Sequence, residues 1–380
     1  MPMPDETGFA AGELRDAVAA GRGRLTDLSL SSRARMPPPD LMIGAIHAGL
    51  LRDYFGQTVV LGASLYEVTD AEVAAEGVLF LDGAVQYCGQ LNIFPVDSEA
   101  RFRTLAARRS GLRPVSMADP VVLLAGPGHH MYGHWLVDFL PKLFLLHRAG
   151  HDIARLRYLL PADTPAFART WLGLLGIGAD RIVAYDRERD RVACRRLLVP
   201  TALRFIGRAS PLMREAARFL LDRVTPRSRP GWRLGRSGRA RPALRRLLIS
   251  RSDNADTHNR RTLTERAELE AGARARGFEI VRPEGLSVPE QVALFRSADV
   301  LVGEYGSGLH GSLFALPGAT IVSFRDNGTE LGFLQNSLDH ALGHASGYVF
   351  GSARTGEGFF SVQPQDIDFA FDWIDAHRLR

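Results

Sequence analysis

The chain has 380 residues, a length that suits two domains better than one. It is 46% hydrophobic and 23% charged, with no run of 18 apolar residues, so a globular chain without a transmembrane helix is expected. Net charge is +5, and Lys142 is the one lysine among the arginines, whose planar fork of donors suits phosphate-bearing ligands. Cys88 and Cys194 stand far apart and offer neither a disulfide framework nor a metal spacing. The first residues, MPMPDETGFAAGELRDAV, lack a basic start followed by an apolar block, which argues against a secretory signal and for a cytosolic location.

Residues 1–40 read as a weakly ordered segment, closed by the prolines of RMPPPD. From 58 to 95 the pattern is short and β-like, and Asp82-Gly83 marks a hairpin turn. Residues 98–109 suit a helix. VVLLAG (121–126) is a buried strand leading through Gly128-His129-His130 into a helix over 131–149. Pro141 would bend or end that helix, because it cannot donate to Val137. LRYLLP, RIVAY and RRLLVP are further strands, and residues 210–224 a further helix. Residues 226–243 are rich in Arg, Pro and Gly and read as a linker with a solvated face. A rival reading is a patch that touches acidic lipid or an anionic polysaccharide. RRLLISR (245–251) opens a second α/β unit ending near Phe350. The last helix, 368–379, is expected to cross back onto the first domain.

The richest stretch is 278–324. FEIV, VLVGE and ATIVSF are apolar runs separated by helical patterns, which predicts right-handed crossovers and a parallel sheet. Ser287 and Glu290 form a capping-box signature, with Pro289 in the first turn. Gly306-Ser307-Gly308-Leu309-His310 follows a strand and opens the next helix. At that edge of an open sheet, glycines let backbone amides approach an anion such as a diphosphate. The alternative is a tight turn that needs glycine for its backbone angles. The pattern is not G-x-G-x-x-G, and no acidic residue stands where a dinucleotide ribose would want one.

His134 and Asp138 lie i, i+4 on one helix face. Such a pair works as a general base, the carboxylate orienting the imidazole, or else as a structural hydrogen bond in a buried helix. Ser250 and Arg251 close a strand, and Arg260 and Arg261 open the helix that follows; arginine at a strand end next to a helix N-terminus suits phosphate. Glu284 follows a strand and could accept from a ribose, and His310 could donate to a phosphate or a sugar hydroxyl. The single D-x-D, Asp366–Asp368, lies at a helix start and reads as a cap, so no metal site is expected.

Three blocks carry a family resemblance: GHWLVDFLPKLFLL (133–146), LLISRSDNADTHNRRTLTERAELE (247–270) and PEGLSVPEQVALFRSADVLVGEYGSGLHGSLFALPG (283–318). The chain resembles the glycosyltransferase family 61 group, which includes capsular-polysaccharide biosynthesis proteins. It departs from that pattern at Thr264, Tyr305, Ser307 and Gly311. The resemblance implies two Rossmann-like α/β domains in a GT-B-type fold and an inverting, metal-independent transfer with no cofactor. The partners it implies are a nucleotide-sugar donor and a glycan or lipid-linked acceptor, with peripheral attachment to the inner membrane and no nucleic acid. Ser250, Arg251, Arg260, Glu284, Gly306, Ser307, Gly308 and His310 would hold the nucleotide, in a cleft between domains. His134 or Asp138 would serve the acceptor. Expected bounds are 41–225 for the acceptor-side domain, 226–243 for the linker, 244–360 for the nucleotide-sugar domain and 361–380 for the last helix. The rivals are a dinucleotide-binding oxidoreductase and a non-catalytic basic binder of polysaccharide or nucleic acid.

Overall fold

A computed structural model describes residues 10–47, 49, 51, 55, 57–60, 62–88, 98–117, 120–225, 245–251, 261–328 and 332–378. The expected linker 226–243 and Arg260 lie outside the described residues. The chain divides into two compact units, Met1–Ser32 with Val59–Ile206, and Arg33–Thr58 with Gly207–Arg380.

The first unit is built on a mixed ten-stranded sheet. Its longest antiparallel pair is β1 (Ser64–Ala74) with β5 (Asp190–Pro200). On the other side of β5 run β2 (Val121–Leu123), β3 (Arg157–Pro161) and β4 (Ile182–Tyr185), all parallel to one another. The unit is thus α/β with a mixed sheet, in which Arg113–Met117 also pairs parallel with β5 and Ala11–Glu13 parallel with Ala84–Tyr87. The runs VVL and YLL are fully buried because both faces of the sheet are covered there. Asp82 and Gly83 turn the hairpin Val78–Leu81/Ala84–Tyr87 with φ of 48° and 83°, as a two-residue loop of that hand requires. The described part of the N-terminal segment is ordered by packing. Ala11–Glu13 pairs with Ala84–Tyr87 and Gly23–Asp27 with β1, and Leu14 and Val18 of the intervening helix join the core.

A continuous helix, α1 (residues 132–148), follows β2. Pro141 does not end it. The helix widens into a π-type turn over Trp135–Phe139, just upstream, and resumes as Leu140–Arg148. A π turn accommodates the hydrogen bond that proline cannot make, and such turns recur at functional sites.

The second unit carries a six-stranded, wholly parallel sheet. Its strands are β6 (Arg245–Ile249), β7 (Glu279–Val281), β8 (Ala298–Glu304), β9 (Thr320–Arg325) and β10 (Ala345–Phe350), with Leu41–Gly44 as the last strand. Their spatial order is β7-β6-β8-β9-β10-Leu41–Gly44. The chain leaves β6 for β7 on one flank and returns to β8 on the other, so strand order reverses between β6 and β8. In open α/β sheets that reversal leaves a crevice at the strands' carboxyl ends. Helices α2 (Arg266–Ala275) and α3 (Val288–Phe295) make the crossovers. Ser287 and Glu290 form the expected capping box on α3, with the Ser287 amide 2.8 Å from the Glu290 carboxylate.

Two expectations about chain organisation need correction. Residues 41–58 and 207–225 belong to the second unit, because Leu41–Gly44 pairs with β10 and Leu41 is buried in that unit's core. The last helix, α5 (Pro364–Arg378), packs Ile367, Ala370, Phe371 and Ile374 into the same core, against Leu269 and Ala273 of α2. Asp366 stands in its first turn rather than at its cap, and Asp368 pairs with Arg276 at 3.3 Å.

Candidate functional site

The two groups of candidate residues fall one in each unit. In the first unit, β2 runs into a glycine-rich loop and then α1. Gly128 has φ of 81°, and a Cβ there would stand 2.8 Å from the His134 ring, so only glycine lets the loop lie on the imidazole. Trp135 fastens α1 to that loop by donating its Nε1–H to the His129 carbonyl at 2.6 Å. The helical spacing brings His134 Nδ1 to 2.6 Å from Asp138 Oδ2.

A third residue completes this group. Arg204 donates Nε–H to Asp138 Oδ1 and Nη2–H to Oδ2, the second at 2.8 Å. Its Nη1 donates to the Ile206 carbonyl at 2.6 Å. The Asp138 side chain is 0% exposed and that of Arg204 5%. Burial alone would raise the Asp138 carboxyl, but the Arg204 charge and the His134 hydrogen bond hold it well below the usual carboxylate range. An ionised carboxylate only accepts, so His134 Nδ1 carries the proton and Nε2 is the nitrogen able to take another. Both oxygens of the Asp138 carboxylate are therefore engaged, by Arg204 and by His134. One turn on, Lys142 is buried as well, and desolvation pulls its ammonium down to about 8 against the opposing pull of Asp138. Arg204 lies 66 residues from Asp138, and no local pattern in the sequence links the two.

In the second unit, the other candidates gather where strand order reverses. Arg251 follows β6. It donates Nη1–H to the Arg261 carbonyl at 2.9 Å, and a Cβ on Gly306 would lie 3.6 Å from its Nη2. Arg261, expected at the start of a helix, instead leads into the short strand Thr262–Leu263, and the helix begins at Arg266. The Arg261 guanidinium stands 5.9 Å from the centre of the Tyr305 ring, and its Nε is buried without a hydrogen-bond partner among the described residues. Burial lowers its pKa, with the Arg251 and Arg354 charges pushing the same way and Tyr305 and Asp326 opposing them. No carboxylate of the described residues forms an ion pair with Arg251 or Arg261. Two close guanidiniums, with Asp326 acting on Arg261 but in no ion pair with it, offer donors that suit an anion.

Gly306, Ser307 and Gly308 run past this pair, half-buried. They open a short 3-10 helix, Leu309–Phe314, rather than the expected α-helix. The amides of Leu309 and His310 bond back to the carbonyls of Gly306 and Ser307 at 3.0 and 3.2 Å, so they are used within the turn. Those of Gly306, Ser307 and Gly308 make no hydrogen bond among the described residues and stand at its head. A Cβ on Gly308 would meet Ile249 at 2.9 Å, which keeps the turn tight against β6.

Three expected ligands are placed differently. Ser250 is buried and donates to Glu270 at 2.7 Å, tying β6 to α2. Burial raises the Glu270 carboxyl, but Ser250, Arg274 and Arg282 bring it below its ordinary value. His310 is buried beneath the turn, where Nδ1–H donates to Gln335 of α4 (Leu334–Leu342) at 3.0 Å. Gln335 in turn bonds Ser312 and the buried Asp339, at 2.9 and 2.7 Å. Burial raises the Asp339 carboxyl well above its ordinary value, against the hydrogen bonds it accepts from Gln335, Ser346 and Ser312. Glu284 is exposed in the turn after β7, the strand beyond β6.

The family model for Glycosyltransferase 61 matches residues 132–322. That span starts at the helix of His134 and ends within β9, so it takes in both groups. No curated protein matches the chain.

Proposed function

The chain belongs to glycosyltransferase family 61 and is a glycosyltransferase, and on that premise we propose an inverting transfer from a nucleotide-sugar donor to a hydroxyl of a glycan or lipid-linked acceptor. Labour is divided in the GT-B manner: the second unit holds the nucleotide and the first serves the acceptor. His134 Nε2 takes the proton of the acceptor hydroxyl as its oxygen attacks the anomeric carbon. The bond from that carbon to the diphosphate breaks on the opposite face, and the nucleoside diphosphate leaves with the electron pair. Arg251, Arg261 and the amides of Gly306–Gly308 take up the charge that develops on it, in place of a divalent cation. Asp138, locked by Arg204, keeps the imidazole in the tautomer that can act and stabilises the imidazolium that forms.

The observation that carries this assignment is the buried Asp138 carboxylate, bonded at once to Arg204 and to His134 Nδ1. It supports reading Asp138 as the orienting group and His134 as the base. The test is His134→Gln, which should lower kcat by about 10²–10⁴ with donor affinity unchanged and the variant still folded. Wild-type turnover in that variant would refute the role. The anomeric configuration of the product, read by NMR, decides between inversion and retention. A screen of UDP, GDP, CMP and TDP for a rise in Tm identifies the nucleotide, because a ligand that binds only the folded form stabilises it.

Cell-surface polysaccharide assembly at the cytoplasmic face of a membrane is the setting this reading fits. No helix of the described residues is long and apolar enough to cross a membrane.

A further inference from the structure

A cluster in the first unit, outside the transfer machinery, has the donor set of a metal site. Glu76 lies in the turn after β1, and His129 and His130 lie in the loop between β2 and α1. One ligand atom from each residue falls within 4.8 Å of the other two. Gly77 lets the two segments meet: a Cβ there would stand 3.1 Å from the Ala125 carbonyl carbon. His129 is 1% exposed, and its Nε2 lies 3.2 Å from Asp163 Oδ1. Its Nδ1 is buried with no hydrogen-bond partner among the described residues. A buried ring nitrogen is rarely left without one. With Nε2–H donated to the Asp163 carboxylate, Nδ1 holds the lone pair. A carboxylate that fixes the far nitrogen of a histidine is the usual support of a metal ligand.

We propose that Glu76, His129 and His130 bind a divalent transition-metal ion of the zinc class, with His129 bound through Nδ1 and Asp163 fixing its tautomer. Two imidazoles and a carboxylate suit zinc and leave a fourth position for water. The donors are spread more widely than the ~3.4 Å that separates ligands in a tetrahedral site with bonds of 2.0–2.1 Å. His130 is exposed, so rotation of its side chain can close the gap. Two guanidiniums face the cluster. Arg101 bonds Glu76 Oε2, and Arg187 reaches Oε1 at only 3.5 Å while holding Asp163 at 2.8 Å. The ion takes Oε1 from Arg187, which keeps Asp163 and Glu188 as partners, the latter at 3.1 Å. The bound ion staples the turn of Glu76 to the loop that lays Gly128 on His134. It is a fastening and has no part in the departure of the diphosphate, so the inference does not rest on the proposed transfer.

The test uses the full chain without a histidine tag. One equivalent of Co²⁺ should give the visible absorption of a tetrahedral site, and saturating Zn²⁺ should raise Tm by about 5 °C. Both responses should disappear in His130→Ala and in Glu76→Gln, and both should persist in His134→Gln. His129→Ala should lose them too; if that buried substitution prevents folding, the exposed His130 variant decides. Absence of a Co²⁺ spectrum and of a Tm response in the wild type would overturn the proposal. So would a Zn²⁺ response that survives in both His130→Ala and Glu76→Gln.

Discussion

Asp138→Asn removes one charge from an ion pair that solvent does not reach, with side chains 0% and 5% exposed. Arg204 would keep its charge and lose its counter-ion, and breaking a buried pair from one side costs about 3–5 kcal/mol. Asparagine keeps the shape and one acceptor, so a loss near 3 kcal/mol is expected, or a fall in Tm of roughly 6–12 °C. Turnover should fall as well, by 10² or more, because the amide no longer fixes the His134 tautomer. The cause is tested by a cycle with Arg204→Met, read by urea denaturation of the full chain. With both charges gone the interior holds no stranded ion, so Asp138→Asn/Arg204→Met should recover much of the stability, with a coupling of about 2 kcal/mol, while kcat stays low. Single losses that simply add within ~0.5 kcal/mol would show the pair to be uncoupled and refute the reasoning. The pH dependence has a defined sign. The folded carboxyl lies below its unfolded value of about 3.9, so the stability it contributes is complete above that value. It is lost as pH falls from about 4 toward the folded pKa, and Asp138→Asn should lack that acid limb.

Arg251→Ala and Arg261→Ala should each weaken nucleoside diphosphate binding about 10- to 150-fold, the worth of a charged hydrogen bond to phosphate, measured by calorimetric titration. Unchanged affinity in both would remove the donor site from this edge of the sheet. Lys142 releases its proton at about 8 when folded and at 10.5 when unfolded, so the unfolded chain binds more protons between those values and stability rises with pH there. Lys142→Met should add up to roughly 3 kcal/mol at neutral pH and flatten that rise in a urea series; an unaltered slope would contradict the burial argument. Gly311→Ala would set a Cβ 2.3 Å from the ring of the buried Phe295. It should cost about 1–3 kcal/mol in the urea midpoint, and a wild-type midpoint would show that the ring moves freely.

What could be read from the residues was local. The parallel unit over 278–324 was legible because apolar runs, helical spacing and a capping box all act within four or five residues. The same holds for the Asp82-Gly83 hairpin and for His134 meeting Asp138 one turn on. The GSGLH turn was legible as a sheet-edge element, but not its burial of His310 against Gln335, which depends on a helix two elements later. Arg204 reaches Asp138 across 66 residues, and Leu41–Gly44 joins a sheet whose other strands begin 200 residues further on. The meeting of Glu76 with His129 and the pairing of Ser250 with Glu270 are likewise products of packing. Side-chain chemistry and short-range geometry are carried by neighbouring residues. Which charges lose their water, and which partner then holds them, is decided only when distant segments close over the same interior.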